Sequence, residues 1–156
     1  MKFAWHYDCP MGNLLIAEEK GKITHLLFES KDERIHHHEI KETPLLQRAA
    51  QQLDEYFNGK RKNFDLPLAP QGTEFQKKVW GALLEIPYGE TRSYKDIAIQ
   101  IENPKAFRAV GMANNRNPIS IIIPCHRVVG HNGRLVGYGG GLPMKEYLLD
   151  LEKGRS

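Results

Sequence analysis

The sequence contains only two cysteines among its 156 residues, and this scarcity excludes a disulfide framework. Cys9 lies near the start of the chain, whereas Cys125 follows an apolar run, so their surroundings do not suggest a pair. A chain of this length can bury a hydrophobic core without cross-links. The cysteine content therefore predicts a protein of a reducing compartment.

Long hydrophobic runs are also missing. No apolar stretch approaches the roughly 20 residues that a membrane-spanning helix requires, and residues 1–10 contain no long apolar segment ahead of a cleavage site. Apolar residues at 40% and charged residues at 26% are typical of a globular protein. We therefore expect no membrane association and a cytoplasmic location, or a nuclear one in a eukaryote.

The net charge is only +3, which excludes a strongly basic or acidic protein as a whole. The charge is nevertheless uneven, with 10 basic and 11 acidic side chains in residues 1–70 but 12 and 8 in residues 71–156. The second half is where a polyanion would bind. Such a modest excess is also common in proteins that never bind nucleic acid.

Residues 1–70 predict a small α/β domain with an antiparallel sheet. Apolar runs over residues 1–8, 13–18 and 23–28 are separated by turn signals and predict three strands. Apolar positions at helical spacing predict a helix from Pro44 to about residue 57.

Residues 71–156 predict a mainly helical domain. The first domain is expected to end with an edge strand over residues 64–68. The loop-forming residues 69–72 then mark the boundary, giving domains 1–70 and 71–156. Thr73 and Gln76 form a capping-box pattern that predicts a helix ending before Pro87.

Two further helices predict a helix-turn-helix in the second domain. Ser93 begins a short helix reaching about Ile101, and Asn103 begins another that runs to about Asn114. Basic residues are frequent around this pair: Arg92, Lys95, Lys105, Arg108 and Arg116. Helical hairpins are also common packing units, so the pattern alone does not establish DNA binding.

Cys125 is the sharpest chemical feature. It follows the apolar residues 119–123, which predict a buried strand or extended segment, and it directly precedes His126 and Arg127. Nearby cations would stabilise a thiolate, although an inert buried cysteine explains the spacing equally well. Neighbouring residues on an extended chain point apart, so His126 would act through a water, and Glu146 is the candidate carboxylate to orient it.

Other chemistry is disfavoured by spacing. The histidines of residues 36–38, with His6, His25 and Cys9, lack zinc-finger spacing, so we expect no metal. The glycine-rich residues 137–141 lack a phosphate-binding fingerprint, and we expect no cofactor.

Residues 123–129 (IPCHRVV) resemble the acceptor-site signature of the O6-alkylguanine-DNA alkyltransferases, which move an alkyl group from damaged guanine onto their own cysteine. The resemblance covers the whole second half closely and the first half in outline. It continues in family order through residues 73–76 (TEFQ), 86–90 (IPYGE), 93–94 (SY), 103–106 (NPKA), 108–111 (RAVG), 117–118 (NP) and 145–149 (KEYLL).

The resemblance implies a suicide transferase that reacts once. Cys125 would be the alkyl acceptor, His126 its base through a water, and Glu146 the residue that orients His126. Asn117 would be the turn residue that holds the helix-turn-helix against the active-site segment, and Tyr94 would rotate the phosphate and donate to guanine N3. The thioether product has no good leaving group, so turnover stops at one.

The resemblance also implies a partner, double-stranded DNA containing O6-alkylguanine, bound by a monomer. The second helix would enter the minor groove, with Arg108 filling the space of the flipped nucleotide and with Lys105, Ala106, Gly111 and Arg116 at the DNA surface. The residues expected around the base are Ser120, Val128, Tyr138 and Gly139. A thiol hydrolase and a non-catalytic helix-turn-helix regulator are the alternatives.

Overall fold

The computed structural model describes residues 1–28, 37–138 and 141–154. Internal contacts divide the chain into two compact units, Met1–Gln71 and Gly72–Ser156. The predicted boundary at residues 70 and 71 lies one residue from this division. Each unit has its own buried apolar residues, so each is described separately below.

The first unit contains a four-stranded sheet. Its strands are β1 (Lys2–Cys9), β2 (Gly12–Glu19), β3 (Lys22–Phe28) and the short β4 (Glu39–Ile40), in the order β3-β2-β1-β4. The β1–β2 and β2–β3 pairs are antiparallel, and β4 runs parallel to β1. The prediction of a small antiparallel sheet is confirmed for the first three strands.

Helix α1 (Pro44–Phe57) packs on this sheet and begins at the predicted residue. Thr43 caps it, because its hydroxyl accepts from the backbone N–H of Leu46 at 3.1 Å and donates to the buried carboxylate of Glu18. The proline at the first helical position lacks an N–H that the helix would leave unpaired. This capping anchors the helix start to β2.

The predicted edge strand over residues 64–68 is wrong. The segment makes only one parallel bridge, between Leu68 and Ile23. The side-chain amide of Gln52 on α1 donates to the carbonyl of Asp65 at 3.0 Å and accepts from its N–H at 2.9 Å. Pro67 has no N–H for a ladder, and its carbonyl accepts from the N–H of Ile23, while the side chain from α1 satisfies the backbone of Asp65.

The second unit is built around three helices: α2 (Glu74–Leu83), α3 (Tyr94–Gln100) and α4 (Phe107–Asn115). The predicted capping boxes of α2 and α3 are both present. The indole N–H of Trp80 on α2 donates to the carbonyl of Ala113 on α4 at 2.9 Å. Helix α4 starts four residues later than predicted, because residues 103–106 form a turn.

Residues 119–123 are buried as predicted, but they do not form a strand. The N–H of Ile122 bonds the carbonyl of Ser120 at 2.8 Å, and the N–H of Ile123 bonds that of Ile119 at 3.0 Å. Ile121 has a φ of 72°, which is unusual for a β-branched residue. The apolar run is therefore a compact buried turn that leads directly into Cys125.

Two small elements connect this turn with the rest of the unit. Residues Cys125–Arg127 form one 3₁₀ turn, and β6 (Val128–Val129) pairs in parallel with β5 (Arg92–Ser93). Since β5 leads directly into α3, the start of α3 is fixed close to the residues that follow Cys125. The last helix, α5 (Leu142–Glu152), then packs against the 3₁₀ turn.

Candidate active site and nucleic-acid interface

Asn117 fixes the segment that carries Cys125. Its side-chain N–H donates to the carbonyl of Ile123 at 2.8 Å, and its oxygen accepts from the N–H of Ile119 at 3.0 Å. Both bonds are buried, so they hold the turn over residues 119–123 in one conformation. Asn117 thus supports the segment that leads to Cys125.

Cys125 is 3% exposed and lies in an environment that disfavours a thiolate. Burial raises the pKa of its thiol to about 11, although a hydrogen bond with Asn117 and the positive charge of Lys145 act in the opposite direction. The thiol is therefore protonated near neutral pH. A nucleophilic role requires a base that removes its proton during the reaction.

His126 has the properties of such a base. The ring is fully buried, and its Nε2 lies 2.7 Å from Oε2 of Glu152. Burial lowers the pKa of His126, partly offset by the carboxylate of Glu152, so the imidazole is neutral near pH 7. With its Nε2–H donated to Glu152, its Nδ1 is a bare acceptor, and this buried atom has no partner among the described residues.

The prediction that Glu146 orients His126 is wrong, because the structure gives this contact to Glu152. Glu146 is an exposed residue of α5, one turn after the helix begins. The buried positions of α5 are Lys145, Leu148, Leu149 and Glu152, and residue 146 is turned about 100° from Lys145. The helical spacing of Leu148 and Glu152 is the sequence signal that would have identified the correct carboxylate.

The sequence suggested that Arg127 stabilises a thiolate on Cys125. In the structure, its guanidinium instead bonds the carboxylate of Glu152 and neutralises it. Its Nε lies 2.8 Å from Oε1 of Glu152, and a terminal nitrogen lies 3.0 Å from Oε2. Another terminal nitrogen donates to the carbonyl of Ile86 at 2.7 Å. Burial alone would raise the pKa of Glu152, but the hydrogen bonds from His126 and Arg127 outweigh it and hold that pKa at about 2.

Lys145 is a site residue that the sequence reasoning missed. It is fully buried, and its ammonium donates to the carbonyls of Val136 at 3.0 Å and Gly137 at 3.1 Å. The same nitrogen lies 6.0 Å from the centre of the Tyr94 ring. Burial lowers its pKa to about 8, against an opposing contribution from Cys125. The sequence signal for a buried lysine was its position three residues before Leu148, which puts both residues on the same side of α5.

Tyr94 begins α3 and reaches the loop before α5. Its hydroxyl donates to the carbonyl of Val136 at 2.8 Å, so Tyr94 and Lys145 bond the same carbonyl. Gly111 of α4 lies against the Tyr94 ring, since a Cβ added there would meet ring carbons at 3.7 and 3.8 Å. The structure brings Tyr94 and Gly111 together at the meeting of α3 and α4.

The predicted DNA-binding side chains are distributed over α4 and its flanks. Lys105, Arg108 and Arg116 are exposed, whereas Ala106 is half-buried. Two large apolar side chains on the same helix are also exposed, Phe107 at 46% and Met112 at 71%. Helix α4 therefore combines basic and apolar surface, which is the combination found in proteins that enter the minor groove.

A cavity of about 770 Å³ opens between α3 and α4. Aromatic rings and cationic side chains line it, a chemistry that suits the stacked ring and phosphate of a nucleotide. Its lining residues are Ser93, Tyr94, Lys95, Asp96, Pro104, Lys105, Phe107 and His131.

Three of the four residues predicted to surround the base lie in the described part of the chain. Val128 is buried and pairs with Arg92, while Ser120 and Tyr138 are half-buried. Gly139 lies outside the described residues. In the described part of the chain, no group of three or more histidine, cysteine, aspartate or glutamate side chains could hold a metal ion. Over these same residues, no helix combines the length and apolar character needed to cross a membrane.

The protein has two units, and the second unit contains both a cysteine–histidine site, at Cys125 and His126, and a pair of helices with basic residues, α3 and α4. This combination defines a DNA-binding protein with a reactive thiol. Residues 5–70 match the family described as "6-O-methylguanine DNA methyltransferase, ribonuclease-like domain". Residues 74–154 match "6-O-methylguanine DNA methyltransferase, DNA binding domain". The chain belongs to the 6-O-methylguanine DNA methyltransferase family.

Individual relatives agree over nearly the full chain. A methylated-DNA–protein-cysteine methyltransferase of Methanosarcina barkeri is 54% identical, with 94% of each chain covered. The constitutive enzyme of that name from Bacillus subtilis is 52% identical, covering 94% of this chain and 92% of the relative. The crystal structure of Mycobacterium tuberculosis OGT in complex with DNA matches with a TM-score of 0.92 and 48% identity, covering 99% of this chain and 94% of the other.

Proposed function

We propose that this protein repairs DNA by transferring the alkyl group of O6-alkylguanine irreversibly to its own Cys125. The observation that carries the proposal is the arrangement around His126, which follows Cys125 directly. Glu152 holds one ring nitrogen at 2.7 Å, and the other is buried and unbonded among the described residues. A neutral base positioned by a carboxylate is what a protonated buried thiol needs.

The chemistry is a single displacement. His126 accepts the thiol proton at Nδ1 through a water, and Sγ attacks the alkyl carbon in line with its bond to O6. The carbon–sulfur bond forms as the carbon–oxygen bond breaks, and the electron pair moves onto the guanine. The guanine anion then takes a proton at N1 from water, and the imidazolium of His126 returns its proton to water, so that the thiol proton in effect ends on the product base. The negative charge of Glu152 stabilises the imidazolium, and the thioether ends the reaction after one event.

Duplex DNA requires a second activity, extrusion of the damaged nucleotide. The alkyl group is enclosed in the base stack, so the thiol reaches it only after flipping, which costs a few kcal/mol. We assign Arg108 to the space that the nucleotide leaves. The exposed cations Lys105 and Arg116 bind phosphate, and Ala106 and Gly111 permit close approach of α4. Tyr94 rotates the phosphate, and its hydroxyl exchanges the carbonyl of Val136 for guanine N3 when the base enters.

The remaining assignments concern the base pocket and its support. Asn117 keeps the acceptor segment in its turn, and backbone groups near Val128 and Tyr138 contact the base edge. Ser120 and Gly139 limit the size of the alkyl group. The protein works as a monomer in the cytoplasm, where its two thiols stay reduced.

Intact-protein mass spectrometry after incubation with an O6-methylguanine duplex tests this proposal. We expect a gain of one methyl group per protein, located on the peptide that contains Cys125. Cys125→Ala should bind the duplex but gain no mass, whereas the control Cys9→Ser should react fully.

Other outcomes identify the alternative functions. Release of many products per protein without a mass gain would indicate a thiol hydrolase. Unaltered sequence-specific DNA binding by Cys125→Ala, together with no transfer by the wild type, would indicate a regulator. A methyl group on Cys9 would refute the acceptor assignment.

A further inference from the structure

Helix α4 exposes two large apolar side chains on the surface that also carries its arginines. Phe107 is 46% exposed, and Met112 is 71% exposed. Arg108 follows Phe107 directly, and Met112 comes one helical turn after Arg108 on the same side of the helix. The two apolar side chains therefore bracket the arginine that the proposed function assigns to the gap left by the flipped nucleotide.

Phe107 also lines the cavity between α3 and α4 together with Tyr94. It shares a side of α4 with Gly111, four residues later, and Gly111 lies against the ring of Tyr94. Arg108 is turned about 100° from Phe107 around the helix axis. The phenylalanine ring therefore lies on the side of α4 that faces Tyr94, next to the position of the arginine.

The minor groove of duplex DNA fits this surface in both charge and polarity. Its two rows of phosphates match the exposed cations Lys105, Arg108 and Arg116. Residues 74–154, which include α4, match the DNA-binding domain of the family. Proteins that bind the minor groove frequently insert phenylalanine or methionine between neighbouring base pairs, which unstacks the step and kinks the duplex by about 20–90°.

We propose that Phe107 is an apolar wedge that enters a base step beside the lesion, unstacks it and kinks the duplex, so that the damaged nucleotide leaves a stack that is already open. The inference rests on the proposed function, because it concerns extrusion of the same nucleotide. Arg108 fills the gap after extrusion, whereas Phe107 lowers the cost of opening it. Met112 contacts the groove on the other side of Arg108.

Single-turnover transfer rates at saturating protein test the wedge on two substrates, a duplex with O6-methylguanine and free O6-methylguanine base. Phe107→Ala should slow the duplex reaction about fivefold, because unstacking is then unassisted, and should leave reaction with the free base unchanged. Phe107→Leu keeps an apolar side chain that fits a base step, so it should retain most of the wild-type duplex rate. The matched control is Ile99→Ala, which truncates a 54% exposed side chain of α3 and should react like the wild type.

Fluorescence energy transfer between dyes at the two duplex ends measures the kink itself, in a Cys125→Ala background that does not react. We expect binding to shorten the distance between the dyes when Phe107 is present, and Phe107→Ala to remove most of that change.

Three outcomes would overturn the proposal. Equal slowing of duplex and free base by Phe107→Ala would leave Phe107 as a packing residue of the cavity. A lower affinity with an unchanged bound-state rate would leave it as a groove contact, and an equal bend with and without its ring would exclude a wedge. A kink that depends on Phe107, combined with no transfer by the wild type to either substrate, would instead refute the proposed function alone.

Discussion

Oε2 of Glu152 lies 2.7 Å from Nε2 of His126, which joins the last residue of α5 to the residue after the acceptor cysteine. A carboxylate at a helix C-terminus is electrostatically unfavourable because the carbonyl end of the helix is negative. Here Arg127 compensates with two hydrogen bonds to the same carboxylate. The helix end is therefore part of the chemical site.

Replacing Glu152 by glutamine should slow alkyl transfer at least tenfold while leaving affinity for DNA nearly unchanged. The imidazolium that forms on His126 would lose its compensating charge. Breaking a buried ion pair also costs about 3–5 kcal/mol, so a lower melting temperature should accompany the change. Glu146→Gln is the matched control on the same helix, and equal rates for both variants would contradict the role of Glu152.

The transfer rate should fall in acid and should show no steep rise above neutral pH, where only the titration of Lys145, with a pKa of about 8, should modulate it. Because burial lowers the pKa of His126, the acidic decline should lie below its ordinary value of 6.5. Attack by a preformed thiolate would behave differently, since the pKa of Cys125 is raised to about 11. The rate would then rise tenfold per pH unit above pH 7, and single-turnover measurements separate the two profiles.

Arg108→Ala should impair repair of duplex DNA by at least tenfold but barely change reaction with free O6-alkylguanine base. Extrusion is needed only in the duplex, and Arg108 is assigned to that step. A phosphate-binding arginine would instead lower affinity and leave the bound-state rate intact. Single-turnover rates at saturating protein decide the matter, with Arg61→Ala in the first unit as a control that removes an equal charge.

Lys145→Met should change how stability depends on pH. The pKa of Lys145 falls from an ordinary 10.5 to about 8 on folding, so between these values the unfolded chain binds the extra proton. Stability therefore rises with pH across this window and, relative to the variant, wild type should gain up to about 3 kcal/mol.

Urea unfolding of both proteins at pH 7.5, 9 and 10.5 measures this difference. Cys125 contributes in the opposite direction, because its raised pKa favours the unfolded state as pH rises, but both proteins retain it. A stability difference that stays constant with pH would mean that the ammonium is not desolvated in the folded protein.

Local signals made much of the fold predictable. The capping patterns at Thr73 and Ser93 each specify two reciprocal hydrogen bonds within four residues, and both are formed. The strands β1, β2 and β3 followed from apolar runs between turns. These features depend on neighbours in the sequence, so they required no knowledge of tertiary contacts.

The errors arose where distant contacts decide the structure. Residues 119–123 have the composition of a strand, but Asn117 bonds them into a turn that includes Ile121 at positive φ. The prediction of Glu146 rested on its place near the start of the last helix, whereas helical phase puts Glu152 on the buried side. Motif position identified Cys125 and His126, whereas the partners of His126 depended on packing.

The location of Glu152 in the final turn of α5 also has a consequence for the motions of the protein. Helix ends normally open and close far more often than the molecule unfolds. Each opening of this turn would separate His126 from its carboxylate and leave the base unsupported. Amide hydrogen exchange in residues 149–152 should therefore report the fraction of molecules competent to react, and heat should abolish transfer at a temperature where the rest of the fold is still intact.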